Sequence, residues 1–255
     1  MPWTVDTVAG NVPNLPDVLA AIRDLSGLKP FLTFELETRH GLVPVALVQC
    51  GAQSLELLGQ AQGEHPAGLG HISRVTVEVP NRQEAVREIA PGLTLCVRPG
   101  PKARLAGVEV VSGTVEADAA ILQTACGVDV TGSAACVLVF GEVEVRFTPG
   151  DTPPPDLPRE YDPDQRLPGW HRLGLAHPRL EAAVAALRAA GAVEIVPPYR
   201  VLPGLREAML RLPSGLLVQP VEQSLARMLP VIGVKLVQRA LTGQPVRFRS
   251  TNVGA

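Results

Sequence analysis

The chain repeats a short unit, and this repetition limits the folds open to it more than any other feature. Residues 12–23, VPNLPDVLAAIR, align without gaps on residues 177–188, HPRLEAAVAALR. In each copy an apolar strand leads through a proline-containing turn into an amphipathic helix that ends near Gly27 or Gly191. Three strand-like segments follow each helix, so the pattern predicts a β-α-β-β-β unit near each end of the chain.

Two weaker copies lie between these units. In the second copy, residues 74–79 alternate like a strand, residues 83–89 resemble a helix, and residues 93–98 resemble one further strand. In the third, residues 108–111 lead into a predicted helix over residues 115–125 and then into strands. We therefore expect an α+β protein whose repeated βαβββ modules form open, cup-shaped mixed sheets with helices on the outer face. The sequence leaves open whether the units pair in chain order or the first pairs with the fourth.

A proline-rich segment divides the chain. Residues 151–168 hold too many prolines for regular structure and are predicted to be a semi-rigid linker. Modules one to three then occupy residues 1–150, the fourth module occupies residues 169–222, and a C-terminal helix and tail occupy residues 223–255.

The tail carries apolar residues at helical spacing, although Pro230 would kink or split the helix. We expect its apolar face to pack on its own domain, and a homodimer contact is the alternative. An apolar stripe left exposed would instead favour a structural or interaction module that works through this helix. The stripe consists of Leu225, Leu229, Ile232, Leu236 and Ala240.

Composition excludes several kinds of partner. Lysine and arginine total 23 against 25 acidic residues, and no run of like charge occurs, so we expect neither nucleic-acid nor membrane binding. No apolar run approaches the roughly 20 residues that span a bilayer, and the N-terminus does not resemble a signal peptide, so a cytoplasmic protein is expected. The cysteines form no C-x-x-C pair and have apolar flanks, which predicts reduced, buried thiols. They are Cys50, Cys96, Cys126 and Cys136.

The end units resemble a known module. The strand, the Pro-Asn-Leu or Pro-Arg-Leu turn, the alanine-rich helix that ends at glycine and the strand closing on residues 55–58, LELL, are similar to the vicinal-oxygen-chelate (glyoxalase/bleomycin-resistance/dioxygenase) superfamily. The resemblance covers most of residues 4–222. It implies that two modules pair into a cup whose concave face holds a ligand. In metal-dependent members a histidine on the first strand and a glutamate on the last strand of a module bind a divalent metal, which polarises a substrate oxygen.

Most residues at these metal positions are of another type in this chain. The histidine position holds Thr7, Arg74 and Arg172 in the first, second and fourth units. The glutamate position holds Glu56 in the first unit and Gln219 in the fourth. We therefore predict no cofactor, with a divalent metal bound through Glu56 as the alternative.

None of the five histidines replaces the missing ligands. His71, His171 and His177 lie odd numbers of residues from the histidine positions, so strand alternation turns them away from the cup. His40 and His65 fall in connections. A metal site would require His71 or His171 to face inward, against this register.

Strand alternation also predicts which side chains line the concave face. If the valines of residues 74–79 pack on the helices, the polar residues between them face the cup. We predict a polar lining that recognises a ligand; the plainer interpretation is that pairs such as Arg74 and Glu78 only neutralise each other on a solvated face. The predicted ligand-binding residues are Glu56, Arg74, Thr76, Glu78, Arg172 and Gln219.

These features favour a glyoxalase-like protein that binds a small polar or amphipathic molecule in a sheet cup without the family's full metal site. The alternative is a metal-dependent lyase, isomerase or extradiol-type dioxygenase that uses Glu56. The sequence identifies no catalytic residue and leaves open whether the protein is an enzyme.

Overall fold

The computed structural model describes residues 3–38, 41–60, 72–131, 136–150, 169–242 and 245–249. The predicted linker over residues 151–168 lies outside this part of the chain, as do His40, His65 and His71.

The first and fourth modules form one sheet, here called the end-module sheet. The first module comprises β1 (Thr4–Asn11), α1 (Leu15–Ser26), β2 (Pro30–Thr38), β3 (Gly41–Cys50) and β4 (Gln53–Leu58). The fourth comprises β12 (Gly169–Ala176), α3 (Leu180–Ala189), β13 (Val193–Leu202), β14 (Leu205–Arg211) and β15 (Leu217–Gln223). Because β1 pairs antiparallel with β12, the strand order is β2-β3-β4-β1-β12-β15-β14-β13. The first module therefore pairs with the fourth, not with its neighbour in the chain.

The second and third modules form the middle-module sheet, in the order β6-β7-β5-β8-β11-β10-β9. A bridge between Trp170 on β12 and Ile72 on β5 joins it to the end-module sheet. Its elements are β5 (Ile72–Val79), β6 (Ala85–Ala90), β7 (Leu93–Pro99), β8 (Arg104–Ser112), α2 (Val115–Cys126), β9 (Val130–Thr131), β10 (Cys136–Phe140) and β11 (Val143–Pro149).

The helices form a layer between the backs of the two sheets. Helix α1 contacts β3 of one sheet and β6 and β7 of the other, and α2 packs on α3. Apolar side chains from the helices and both sheets belong to one buried cluster, which includes Ile22, Leu57, Leu122 and Leu187. Because this cluster takes up the backs of the sheets, the concave faces remain available for other roles. The predicted α+β architecture of βαβββ modules is confirmed.

The helix predicted over residues 83–89 is wrong. These residues enter β6, which pairs antiparallel with β7, so that Val86 lies opposite Cys96. Pairing with β7 supplies the backbone hydrogen bonds that a helix would have made internally. Helix α1 of the first module contacts β6 and β7.

The tail forms α4 (Leu225–Thr242), which continues through Pro230, and the short strand β16 (Arg247–Arg249). Strand β16 pairs in parallel with β2, and the Phe248 ring packs edge-on against Phe34 with centroids 5.1 Å apart. Strand β16 also approaches β13, so the end-module sheet curls until its two edges nearly meet. None of the described helices is long and apolar enough to cross a membrane.

The predicted apolar stripe of α4 is only partly described. Ile232 is half-buried, and the side chains of Leu225, Leu229, Leu236 and Ala240 lie outside the described part of the chain. A different set of apolar side chains on the same helix is exposed: Val234, Val237 and Leu241. How the helix packs therefore stays a prediction.

Candidate functional site

The positions that resemble the family's metal ligands meet at the β1–β12 seam of the end-module sheet. Strand register places Glu56, Ala9 and Arg172 in one row across β4, β1 and β12. Above the small Ala9 side chain, Arg172 Nη2 donates to Glu56 Oε2 at 3.0 Å. Arg172 is 4% exposed, so its charge is neutralised by Glu56 largely away from water.

The adjacent row contains Ser54, Thr7, Gly174 and Gln219. The Thr7 hydroxyl donates to the Ser54 backbone carbonyl at 3.0 Å and accepts from the Ser54 hydroxyl at 3.2 Å. A Cβ atom on residue 174 would overlap Thr7 Cγ2, so one of the two would have to move. Glycine at position 174 therefore leaves room for the branched side chain of Thr7.

The sequence analysis missed two candidate site residues, Glu207 and Tyr199. Glu207 on β14 accepts hydrogen bonds at Oε2 from Gln219 Nε2 (2.6 Å) and from the Tyr199 hydroxyl (2.9 Å). Gln219 is 2% exposed, and its Oε1 has no hydrogen-bond partner among the residues the structure describes. The available signal was strand alternation, because Glu207 lies two residues before Met209, the β14 residue opposite Gln219 in this antiparallel register.

The cluster holds more negative than positive charge. Burial, and then the neighbouring Glu56, raise the pKa of Glu207 to about 7, while Arg172 and the two hydrogen-bond donors act in the opposite direction. Burial and Glu56 likewise raise the pKa of Asp6 to about 6, against a hydrogen bond from Gln223. Glu56 therefore interacts with both Asp6 and Glu207, and the Arg172 guanidinium interacts with Glu56 and Glu207.

These residues do not fit the metal site that the family resemblance implies. A guanidinium carries a fixed positive charge and no lone pair for a metal, and it occupies the histidine position on β12. The Thr7 hydroxyl is already bonded to Ser54. Within the described residues, no group of three or more His, Cys, Asp or Glu side chains is placed to hold a metal ion.

An apolar cluster lies beside the polar one on the same sheet. Its buried core is formed by Ala9, Val43, Val45 and Leu58, with Phe34 and Leu36 packed against it. Val246 and Phe248 of the tail are buried nearby, 3% and 7% exposed. The tail strand therefore helps to cover the apolar half, whereas Glu56, Glu207 and Tyr199 keep partial access to solvent.

The other predicted ligand-binding residues lie on the middle-module sheet. Arg74 forms an ion pair with Glu109 across the β5–β8 seam, and this bond raises the pKa of Arg74. Glu78 accepts from Arg104 Nε at 2.6 Å and from Arg104 Nη2 at 2.9 Å. Thr76 is buried opposite Gly107. The six predicted residues therefore fall into two groups on different sheets, and Arg74 and Glu78 pair with other residues rather than with each other.

The described histidines and the cysteines have identifiable structural settings. His171 sits at a β-bulge, because Arg172 pairs with Ala9 while Trp170 pairs with Gly10. His177 accepts a hydrogen bond from the Arg179 backbone N–H at the start of α3. All four cysteines are free thiols, and burial raises the pKa of Cys50 and Cys126 to about 12.

Comparison with known proteins confirms the fold. Glyoxalase I from Zea mays superposes with a TM-score of 0.62 at 14% sequence identity, over 86% of this chain and 92% of the maize chain. A protein of Bacillus subtilis whose name describes it as a candidate dioxygenase superposes with a TM-score of 0.64 at 10% identity, covering 87% and 86% of the two chains. A glyoxalase/bleomycin resistance protein/dioxygenase family enzyme from Burkholderia phytofirmans matches 47% of this chain with a TM-score of 0.37 and 17% identity.

Sequence comparison adds nothing to this result. No protein-family model matches the chain, and no curated protein matches it. At 10–14% identity the two high-scoring structures establish the fold alone, so the chain has the architecture of the vicinal-oxygen-chelate superfamily, as the resemblance in sequence implies.

Proposed function

We propose that the protein binds a small polar or amphipathic molecule on the concave face of the end-module sheet, without a bound metal. The observation that carries this proposal is the Arg172–Glu56 ion pair, which places a protein cation where the resemblance implies a metal. Thr7 and Gln219 at the two flanking positions are weak metal ligands, so the donor set favours recognition by hydrogen bonds and charge.

The partly buried ion cluster of Arg172, Glu56 and Glu207 is difficult to explain by packing alone. Buried charges are costly, and an apolar replacement of an ion pair is often as stable as the pair. Cup residues that served packing alone would be expected to resemble the apolar half around Val45. Arg172, Glu56 and Glu207 remain together beside partial solvent access, which is typical of a polar recognition site.

The metal-dependent lyase, isomerase or dioxygenase alternative receives less support. It needs three or four convergent ligands, and Glu56 is the one family ligand kept at this seam. His171 lies in a bulge and bonds toward the Gly169 carbonyl at 3.5 Å.

The proposal is tested by screening small polar and amphipathic compounds by thermal shift, each with and without EDTA. We expect compounds that raise the melting temperature to do so equally in EDTA and to lose their effect in an Arg172→Lys variant. Lys102→Met is the control, because Lys102 is 61% exposed in the connection between β7 and β8, away from the end-module sheet. Stabilisation that disappears in EDTA, or that persists in Arg172→Lys and is lost in the control, would contradict the proposal.

A further inference from the structure

Gln219 carries a buried acceptor that no donor satisfies within the described part of the chain. Gln219 Nε2 donates to Glu207, so the hydrogen-bonding capacity that remains on this side chain is at its amide oxygen, Oε1. That oxygen is buried, and no donor reaches it among the described residues. A buried acceptor without a donor destabilises the folded protein, so a ligand that brings a donor to it recovers this energy.

The charges at the site point in the same direction. Asp6, Glu56 and Glu207 interact electrostatically on this face, and Arg172 is the cation that acts on Glu207. Arg172 is already engaged with Glu56 and is almost fully buried. An incoming anion would meet three carboxyl groups, whereas an incoming cation would balance them.

We propose that the ligand of the end-module sheet carries a protonated amine, whose N–H groups donate to Gln219 Oε1 and to the carboxylates of Glu207 and Glu56. This inference rests on the proposed function and specifies its ligand class. The ammonium group offers up to three donors from one centre, which matches acceptors contributed by β15, β14 and β4. The Glu56 side chain is 22% exposed, so the proposed contact lies beside solvent.

Three probes of matched size test the inference: benzylamine, benzyl alcohol and benzoate. Their binding to the full chain is measured by ligand-observed NMR titration at about pH 8, where Glu207 is ionised and the amine is protonated. We expect benzylamine to bind about tenfold more tightly than benzyl alcohol, and benzoate to bind weakest.

Two variants assign the effect to the site. Glu207→Gln keeps the shape of the side chain and removes its charge, and Gln219→Leu removes the free acceptor. Each is expected to reduce the preference for benzylamine over benzyl alcohol about tenfold, whereas the control Glu142→Gln, an exposed carboxylate on the other sheet, leaves it unchanged. Circular dichroism of each variant confirms that it is folded.

The outcomes separate this inference from the proposed function. If benzoate binds as tightly as benzylamine, and if Glu207→Gln or Gln219→Leu changes these affinities, the amine inference is overturned. Small-molecule binding at the site would still stand. Failure of all three probes at millimolar concentration, or binding insensitive to both variants, would overturn the inference and the proposed function together.

Discussion

Arg172 and Glu56, which lie 116 residues apart in the chain, form an ion pair of 3.0 Å that joins the fourth module to the first. The pair extends across Ala9 of β1, the strand that lies between β4 and β12, and Arg172 is almost fully buried. It therefore contributes both to the proposed binding site and to the pairing of the end modules.

Replacing Arg172 with Met should lower the free energy of unfolding by about 3 kcal/mol, because Glu56 and Glu207 would then face each other in a partly buried site without a cation. Lys102→Met breaks an exposed ion pair with Glu142 and should cost less than about 1 kcal/mol. Urea denaturation measures both values. Equal costs for the two variants would show that the Arg172 pair is no more important than a surface pair.

The contact between Thr7 and Gly174 predicts a specific pattern of destabilisation and rescue. Gly174→Ala should lower the free energy of unfolding by about 2 kcal/mol, because its methyl group overlaps Thr7 Cγ2. Thr7→Ser in the same chain should restore part of this loss, since serine lacks Cγ2 and keeps the hydroxyl.

Gly107→Ala is the matched control for that experiment. Gly107 lies opposite Thr76 at the equivalent seam of the middle-module sheet, and an added Cβ atom there meets its nearest neighbour at 3.6 Å. We expect a change within about 0.5 kcal/mol. A large loss at Gly107, or none at Gly174, would contradict the close approach of β1 and β12.

Asp118 of α2 connects the third module to the fourth. Its buried carboxylate accepts from the Ser112 hydroxyl at 2.7 Å and from the Ser214 backbone N–H at 3.1 Å. Asp118→Ala should lower the free energy of unfolding by about 2–3 kcal/mol, because both donors lose their acceptor. Glu116→Ala, an exposed acidic residue of the same helical turn, should change it by less than about 1 kcal/mol in the same denaturation assay.

Glu207 predicts a pH dependence of stability. Its pKa of about 7 in the folded protein exceeds the ordinary value of 4.5, so unfolding releases a proton between these pH values. Stability should therefore fall as pH rises through this window, by at most about 3 kcal/mol. The charged and polar groups that face Glu207 and set this behaviour are Glu56, Arg172, Tyr199 and Gln219.

The Glu207→Gln variant isolates this contribution, because it mimics the protonated side chain at every pH. Its stability relative to the original protein should increase from about pH 4.5 to pH 7 and then level off. Asp6 titrates in an overlapping range in both proteins and largely cancels in the difference. A difference that does not vary with pH would contradict the raised pKa of Glu207.

Most of the fold could be predicted from the sequence, because short stretches of each end module carry the signals for its strand, turn and helix. The β1–α1 and β12–α3 units carry the turn and helix signals within about 12 aligned residues. Module pairing was not accessible, since the antiparallel β1–β12 and β5–β8 contacts depend on long-range packing. The helix expected over residues 83–89 failed for the same reason, because pairing with β7 overrides local helix propensity.

Only part of the candidate site could be predicted from the sequence. Alternation along single strands predicts one face for Glu56, Arg172 and Gln219, and the strand register brings these residues into adjacent rows of the end-module sheet. It also grouped Arg74 and Glu78 with them, because alternation defines a face and does not define which sheet that face belongs to. Glu207 was not predicted, because the family resemblance assigns no ligand position to β14.

Metal analysis of the purified protein tests whether the Arg172 guanidinium takes the place of a metal at Glu56. A Thr7→His, Arg172→His and Gln219→Glu triple variant supplies the positive control, because it would rebuild a His/carboxylate donor set around Glu56. Protein purified without chelator should contain far less than about one equivalent of metal and show no saturable thermal shift with manganese, iron, zinc or nickel. About one equivalent of metal retained by the original protein and lost in Glu56→Gln would show instead that Glu56 binds a metal ion.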